Sequence, residues 1–135
     1  ANRARMDAAI SLAALAATST DIARSIGAAG GVPELAAQFR EDSPAGREAA
    51  AQALATLVDL PELNVQIVAE QGVVKRFLCM LTDQDASGQD QRVSMALKAI
   101  GHFAMSSLGR KALVEAGAPA ALVAVLRSPA SSASD

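Results

Sequence analysis

The sequence predicts an all-α fold, a helical solenoid built from three-helix units, and three observations carry that expectation. The chain of 135 residues is 51% apolar but only 2% aromatic, with no Trp and no Tyr. Its core must come from Ala, Leu, Val and Ile. Ala has the highest helix propensity, whereas sheets draw on aromatic and β-branched residues. Secondly, a phrase of small residue, Leu, two more residues and an apolar one recurs at Ser11-Leu12-Ala13-Ala14-Leu15, Ala53-Leu54-Ala55-Thr56-Leu57 and Ala96-Leu97-Lys98-Ala99-Ile100. Its landmarks Leu12, Leu54 and Leu97 stand 42 and 43 residues apart. Thirdly, a glycine phrase recurs at Gly30-Gly31-Val32-Pro33-Glu34-Leu35, Gln71-Gly72-Val73-Val74 and Ala116-Gly117-Ala118-Pro119. From Gly31 to Gly72 is 41 residues, and from Gly72 to Gly117 is 45. The two landmarks share one period, in the class of about 40–47 residues used by stacked helical repeats.

The elements follow in order. An opening helix is expected over about 4–18, with Met6, Ile10, Leu12 and Leu15 as its apolar residues. Arg3 and Arg5 before the apolar run Ala8–Ala17 loosely resemble a signal peptide. Asp7 at the edge of that run, and its amphipathic Ala/Leu spacing, favour a helix of the repeat. A short helix then ends at glycine, which adopts the left-handed conformation that closes helices. Pro33 and Pro119 stand where the next helix starts, a position that tolerates a missing N–H. This second helix runs through Leu35–Phe39, Leu78–Leu81 or Leu122–Leu126. A polar turn follows, Glu41–Gly46 or Thr82–Asp90. The third and longest helix is expected at about 47–60 and again at about 91–106, and the chain closes on a second helix at about 119–127.

These boundaries divide the chain into a solenoid over 1–128 and a loose Ser/Ala-rich tail at 129–135. Complete units fall at about 20–60 and 61–106, flanked by partial ones at 1–19 and about 107–128. Each unit of such an array buries its face on its neighbour, so its ends need polar caps. The opening helix carries none. The expectation is a fragment of a longer solenoid, or ends covered by a partner through end-to-end packing with further repeats or self-association.

With these phrases in place, the chain resembles the armadillo repeat family. That family has a short first helix, a second helix beginning Gly–small–Ile/Val–Pro–x–Leu–Val–x–Leu–Leu, and a third containing Ala–Leu–x–Asn–Leu. Ala116-Gly117-Ala118-Pro119-Ala120-Ala121-Leu122-Val123-Ala124-Val125-Leu126 follows the second-helix pattern closely. The middle unit departs from it, with Val74 where the other two have Pro. The resemblance covers about residues 4–128 and implies a right-handed α-solenoid of armadillo-type three-helix repeats.

Composition and motifs narrow the function classes. Net charge is −2 and the isoelectric point about 5.3, so no basic footprint for nucleic acid exists. No run of about 18 apolar residues suggests a membrane span. Cys79 is the only cysteine, which excludes an internal disulfide and fits a reducing, cytoplasmic compartment. Cys79, between Leu78 and Met80, reads as a small core residue without the paired base a nucleophile needs. His102, the only histidine, has Lys98 and Ser106 at i±4 and no orienting or metal-binding partner.

Asp83-Gln84-Asp85-Ala86-Ser87-Gly88 resembles the start of a calcium loop. However, Ser94 stands where the twelfth position needs a bidentate acid. Gly27-Ala28-Ala29-Gly30-Gly31 lacks the order of a phosphate-binding loop and reads as a helix end. Arg47 with Glu48, and Arg110 and Lys111 with Glu115, read as solvated faces. No catalytic residue, cofactor or metal is expected, and an enzyme is not.

The resemblance implies a concave groove lined by third helices, where family members bind extended peptides through Asn two residues after the landmark Leu. Importin-α-like members add a Trp two residues before it. The matching positions here are Ile10 and Ala14, Gln52 and Thr56, and Met95 and Ala99, so a receptor for basic localisation signals is not expected. Extended by one turn each way, the face comprises Met6, Ile10 and Ala14, then Glu48, Gln52, Thr56 and Asp59, then Gln91, Met95, Ala99 and His102. Its mixed, mildly apolar character suits a protein partner, a peptide or helix that is not strongly basic. The expected function is a non-catalytic scaffold or adaptor module, part of a larger assembly. The alternative is a chaperone cofactor, an armadillo-like nucleotide exchange factor for a 70-kDa heat-shock chaperone.

Overall fold

A computed structural model describes residues 2–41, 44–82 and 89–127. Among them run nine helices and no strand: α1 (Asn2–Ala16), α2 (Thr20–Ala28), α3 (Gly31–Phe39), α4 (Pro44–Leu57), α5 (Pro61–Ala69), α6 (Val73–Cys79), α7 (Gln89–Phe103), α8 (Ser107–Glu115) and α9 (Ala118–Arg127). The calcium-like loop 83–88, residues 42 and 43 of the first polar turn, and the tail lie outside the described residues. No described helix is long and apolar enough to cross a membrane.

Boundaries follow local chemistry. Ser19 and Ser106 are extended caps whose hydroxyls accept the N–H groups of Ile22 and Gly109, opening α2 and α8. Residue 106 therefore begins α8 and does not end α7, which stops at Phe103. Helix α4 begins at Pro44, three residues earlier than expected, because proline suits a first helical position. It stops at Leu57, because Leu60 precedes Pro61 and is pushed to extended backbone, φ −88° and ψ 124°. Asp59, expected on the helix, sits in the turn beyond it.

Three glycines, Gly30, Gly72 and Gly117, take left-handed φ of 84°, 80° and 88° between a first and a second helix. In the first unit the left-handed residue is thus Gly30, and Gly31 opens α3. Gly31 is needed for a different reason. A Cβ there would stand 2.6 Å from Ile26 Cγ2 and 2.8 Å from its carbonyl oxygen.

Packing is serial. Helix α1 lies along α4 and α4 along α7; α3 packs on α4, α6 on α7, and α5 bridges α3 and α8. Ala9, Ala13 and Ala16, spaced by four and three, form the buried stripe of α1. Helix α4 is the most enclosed, with Ala49, Ala50, Ala51, Ala53, Leu54, Ala55 and Leu57 buried. Such small side chains permit close helix approach. The chain's three aromatic residues form one line through the core. The rings of Phe39 and Phe77 are 4.7 Å apart at 50°, and those of Phe77 and Phe103 are 5.7 Å apart at 63°. All three are fully buried, from α3, α6 and α7.

Candidate interaction surface

Helix α4 offers one polar line to solvent. Ala49–Ala51 and Ala53–Ala55 are buried on both sides of it, leaving Glu48 and Gln52 exposed and Thr56 half-buried. The Thr56 hydroxyl donates to the Gln52 carbonyl at 3.0 Å, so it is turned onto its own helix. Asp59 follows, exposed, in the turn.

Helix α7 answers this line at both ends. Arg92 Nη2 donates to Glu48 Oε1 at 3.2 Å, and His102 Nε2 stands 2.9 Å from Asp59 Oδ1. Two residues expected to await a partner, Glu48 and Asp59, are thus engaged with the neighbouring helix, and so is His102. In each pair the carboxylate is nearly half exposed to water, which screens it and holds its worth to about 0–1 kcal/mol. Together they set the register of α7 against α4. Beneath them Asn64 of α5, nearly buried, donates from Nδ2 to the His102 carbonyl at 2.7 Å. The same carbonyl accepts the Met105 N–H at 3.1 Å in the turn after α7, so Asn64 adds a second bond there.

The α7 face differs from the expected one. Ala99 is completely buried and offers no surface, and Met95 is half-buried. The exposed line is Gln91, Ser94, Lys98 and Gly101. The cause is a rotation of the helix. Leu54 is fully buried, but its counterpart Leu97 is only half-buried, so steps counted from Leu97 drift inward. The polar spacing of Gln91, Ser94 and Lys98 was the sequence signal for the correct face. On α1, Met6 is half-buried and Ile10 is 51% exposed, with Leu15 another open apolar residue.

Two hollows flank this surface. One of about 280 Å³ lies between the α1–α2 turn, with Ser19 and Thr20, and Thr56, Asp59 and Lys98. The other, of about 220 Å³, lies at the Glu48–Arg92 end. No family model, curated protein or solved structure matches the chain. The surface itself must carry the functional argument.

Among the described residues no group of three His, Cys, Asp or Glu gathers to hold a metal. Cys79 is exposed and not in the core, the reverse of the sequence expectation, because α6 buries Val73, Val74, Phe77 and Leu78 instead. Glu62 is the one described acid with a resolved shift. Its carboxyl is held below the usual glutamate range, first by its own backbone amide at the start of α5 and then by Arg24, 2.9 Å away.

Proposed function

We propose that this chain is a non-catalytic protein-interaction module, a scaffold or adaptor built as an armadillo-type right-handed solenoid. In this reading it binds a partner segment across α4 and α7. The observation that carries the reading is the recurring order of two short helices and one long, with α1, α4 and α7 packed in series. Serial packing of like units produces an extended surface and no enclosed pocket. The exposed residues between the two cross-helix pairs, Gln52, Ser94 and Lys98, are its contact groups. Met95 adds an adaptable apolar edge. Such a surface suits a peptide or helix that is not strongly basic, since Lys98 repels cations.

Affinity capture from the native extract, with wild type beside a Gln52→Arg, Lys98→Glu double variant, tests this. Both substitutions are at exposed positions, and circular dichroism checks that the helices persist. Partners captured by wild type and lost from the variant support the α4–α7 surface. Partners retained by both move binding elsewhere on the molecule.

A further inference from the structure

Among its described lining residues, the hollow at the Glu48–Arg92 end holds three arginines and one carboxylate, in a chain whose net charge is −2. Three arginines from three helices line it: Arg47 of α4, Arg76 of α6 and Arg92 of α7. Glu48 engages Arg92. Among the described residues, no carboxylate stands within ion-pair distance of Arg47 or Arg76, although both are half-buried. An arginine of this burial covers apolar surface with its stem while its guanidinium keeps its donors for water or an anion.

Arg47 stands against the local field, and Arg76 is held by an aromatic ring. Arg47 lies in the first turn of α4, whose end already carries partial positive charge, so a cation there is unfavourable. The Arg76 guanidinium sits 6.0 Å over the buried Phe39 ring. That ring attracts the cation and fixes its position but leaves its charge and its N–H donors available.

We propose that this hollow binds one anionic side chain of a partner peptide, a phosphoryl or carboxylate group. The proposal deepens the interaction reading by naming the partner's chemistry, and it rests on that reading only for the partner being a protein. Guanidinium groups present planar pairs of donors that match both anions. Small-molecule sites usually occupy about 300–1,000 Å³, whereas this hollow measures about 220 Å³. That is room for the end of one side chain and not for a whole metabolite. Met80, half-buried in its wall, supplies apolar contact for the stem of that side chain.

The test is an NMR titration of the full chain, observing backbone amides and arginine Nε–H groups. The probes are a Gly-Gly-phosphoserine-Gly-Gly peptide, its unphosphorylated form, a Gly-Gly-Glu-Gly-Gly peptide, and sodium sulfate. Saturable shifts are expected at Arg47 and Arg76 with the phosphorylated or the glutamate peptide, and none with the serine peptide. The stronger of the two identifies the anion.

Arg47→Gln, which removes a side chain with no carboxylate partner among the described residues, should weaken binding about tenfold, the cost of one charge-assisted hydrogen bond. Arg76→Gln should act similarly. Absence of saturable shifts, or affinity unchanged in Arg47→Gln, overturns the proposal, as does sulfate binding as tightly as either peptide. The groove reading fails separately. Partners kept by the Gln52→Arg, Lys98→Glu variant count against that surface, while peptide binding that survives in it leaves the hollow standing.

Discussion

Asn64 is one of two buried polar side chains among the described residues, and only its amide nitrogen is hydrogen-bonded there. Nδ2 serves the His102 carbonyl, while Oδ1 accepts from no described protein group. Orientation is therefore fixed by the donor, and the substitution pattern should reveal it. Asn64→Ala loses one hydrogen bond but also removes an unpaired oxygen, so it should cost about 1 kcal/mol. Asn64→Asp places a carboxylate against a carbonyl oxygen in a buried site, with no donor left between them. That change should cost about 3 kcal/mol or more at neutral pH, and the cost should shrink in acid as the carboxyl takes up a proton. Urea unfolding at pH 7 and pH 4 reads both. Equal costs for the two variants would mean that the amide contributes packing and not a directed bond. Sequence alone shows Asn64 only as a polar residue three positions after a proline; its role depends on α7, brought against α5 by the fold.

At the scale of elements, the helices were readable where a boundary has a local cause: a glycine at positive φ, a serine cap or a proline. Where boundaries differ from the repeat spacing, a second local cause acts. Pro61 ends α4 early and displaces Asp59 into a turn, and Ser106 belongs to the helix that follows it. The aromatic line was less legible. Phe39, Phe77 and Phe103 are 38 and 26 residues apart, a spacing that follows no single period, because two come from second helices and one from a third. Phe77 touches both others, so it joins the packing of α3, α6 and α7. Phe77→Ala should cost about 3–5 kcal/mol, the range for emptying a buried aromatic site. Phe77→Leu should recover most of the volume but not the ring geometry, which is worth about 0.5–1.5 kcal/mol per aromatic pair. Thermal denaturation of the two variants separates volume from ring contact. A Phe77→Ala loss below about 1 kcal/mol would mean that the three helices pack independently of the line.

For the whole molecule, the proposed interaction surface stands or falls with which side chains α4 and α7 expose, and burial of single residues decides that. The face on α4 was legible because Leu54 is enclosed on every side and fixes that helix's rotation. The face on α7 was not, since Leu97 is less enclosed and the line drawn from it passes through Ala99. Ala99 and Lys98 are adjacent in sequence yet opposite in kind, one wholly buried and one exposed. Lys98→Glu should therefore change stability by no more than about 0.5 kcal/mol, the range for a surface substitution. Ala99→Arg forces a long cation into the packed α7 core and should cost about 4 kcal/mol or more, losing the cooperative unfolding transition. Any loss of partner binding in Ala99→Arg is then a consequence of unfolding, whereas a loss in Lys98→Glu belongs to the surface. Were Ala99→Arg to unfold like the wild type, α7 would be rotated by about one residue from its position here. Met95, Ala99 and His102 would then face solvent as the repeat spacing alone implied.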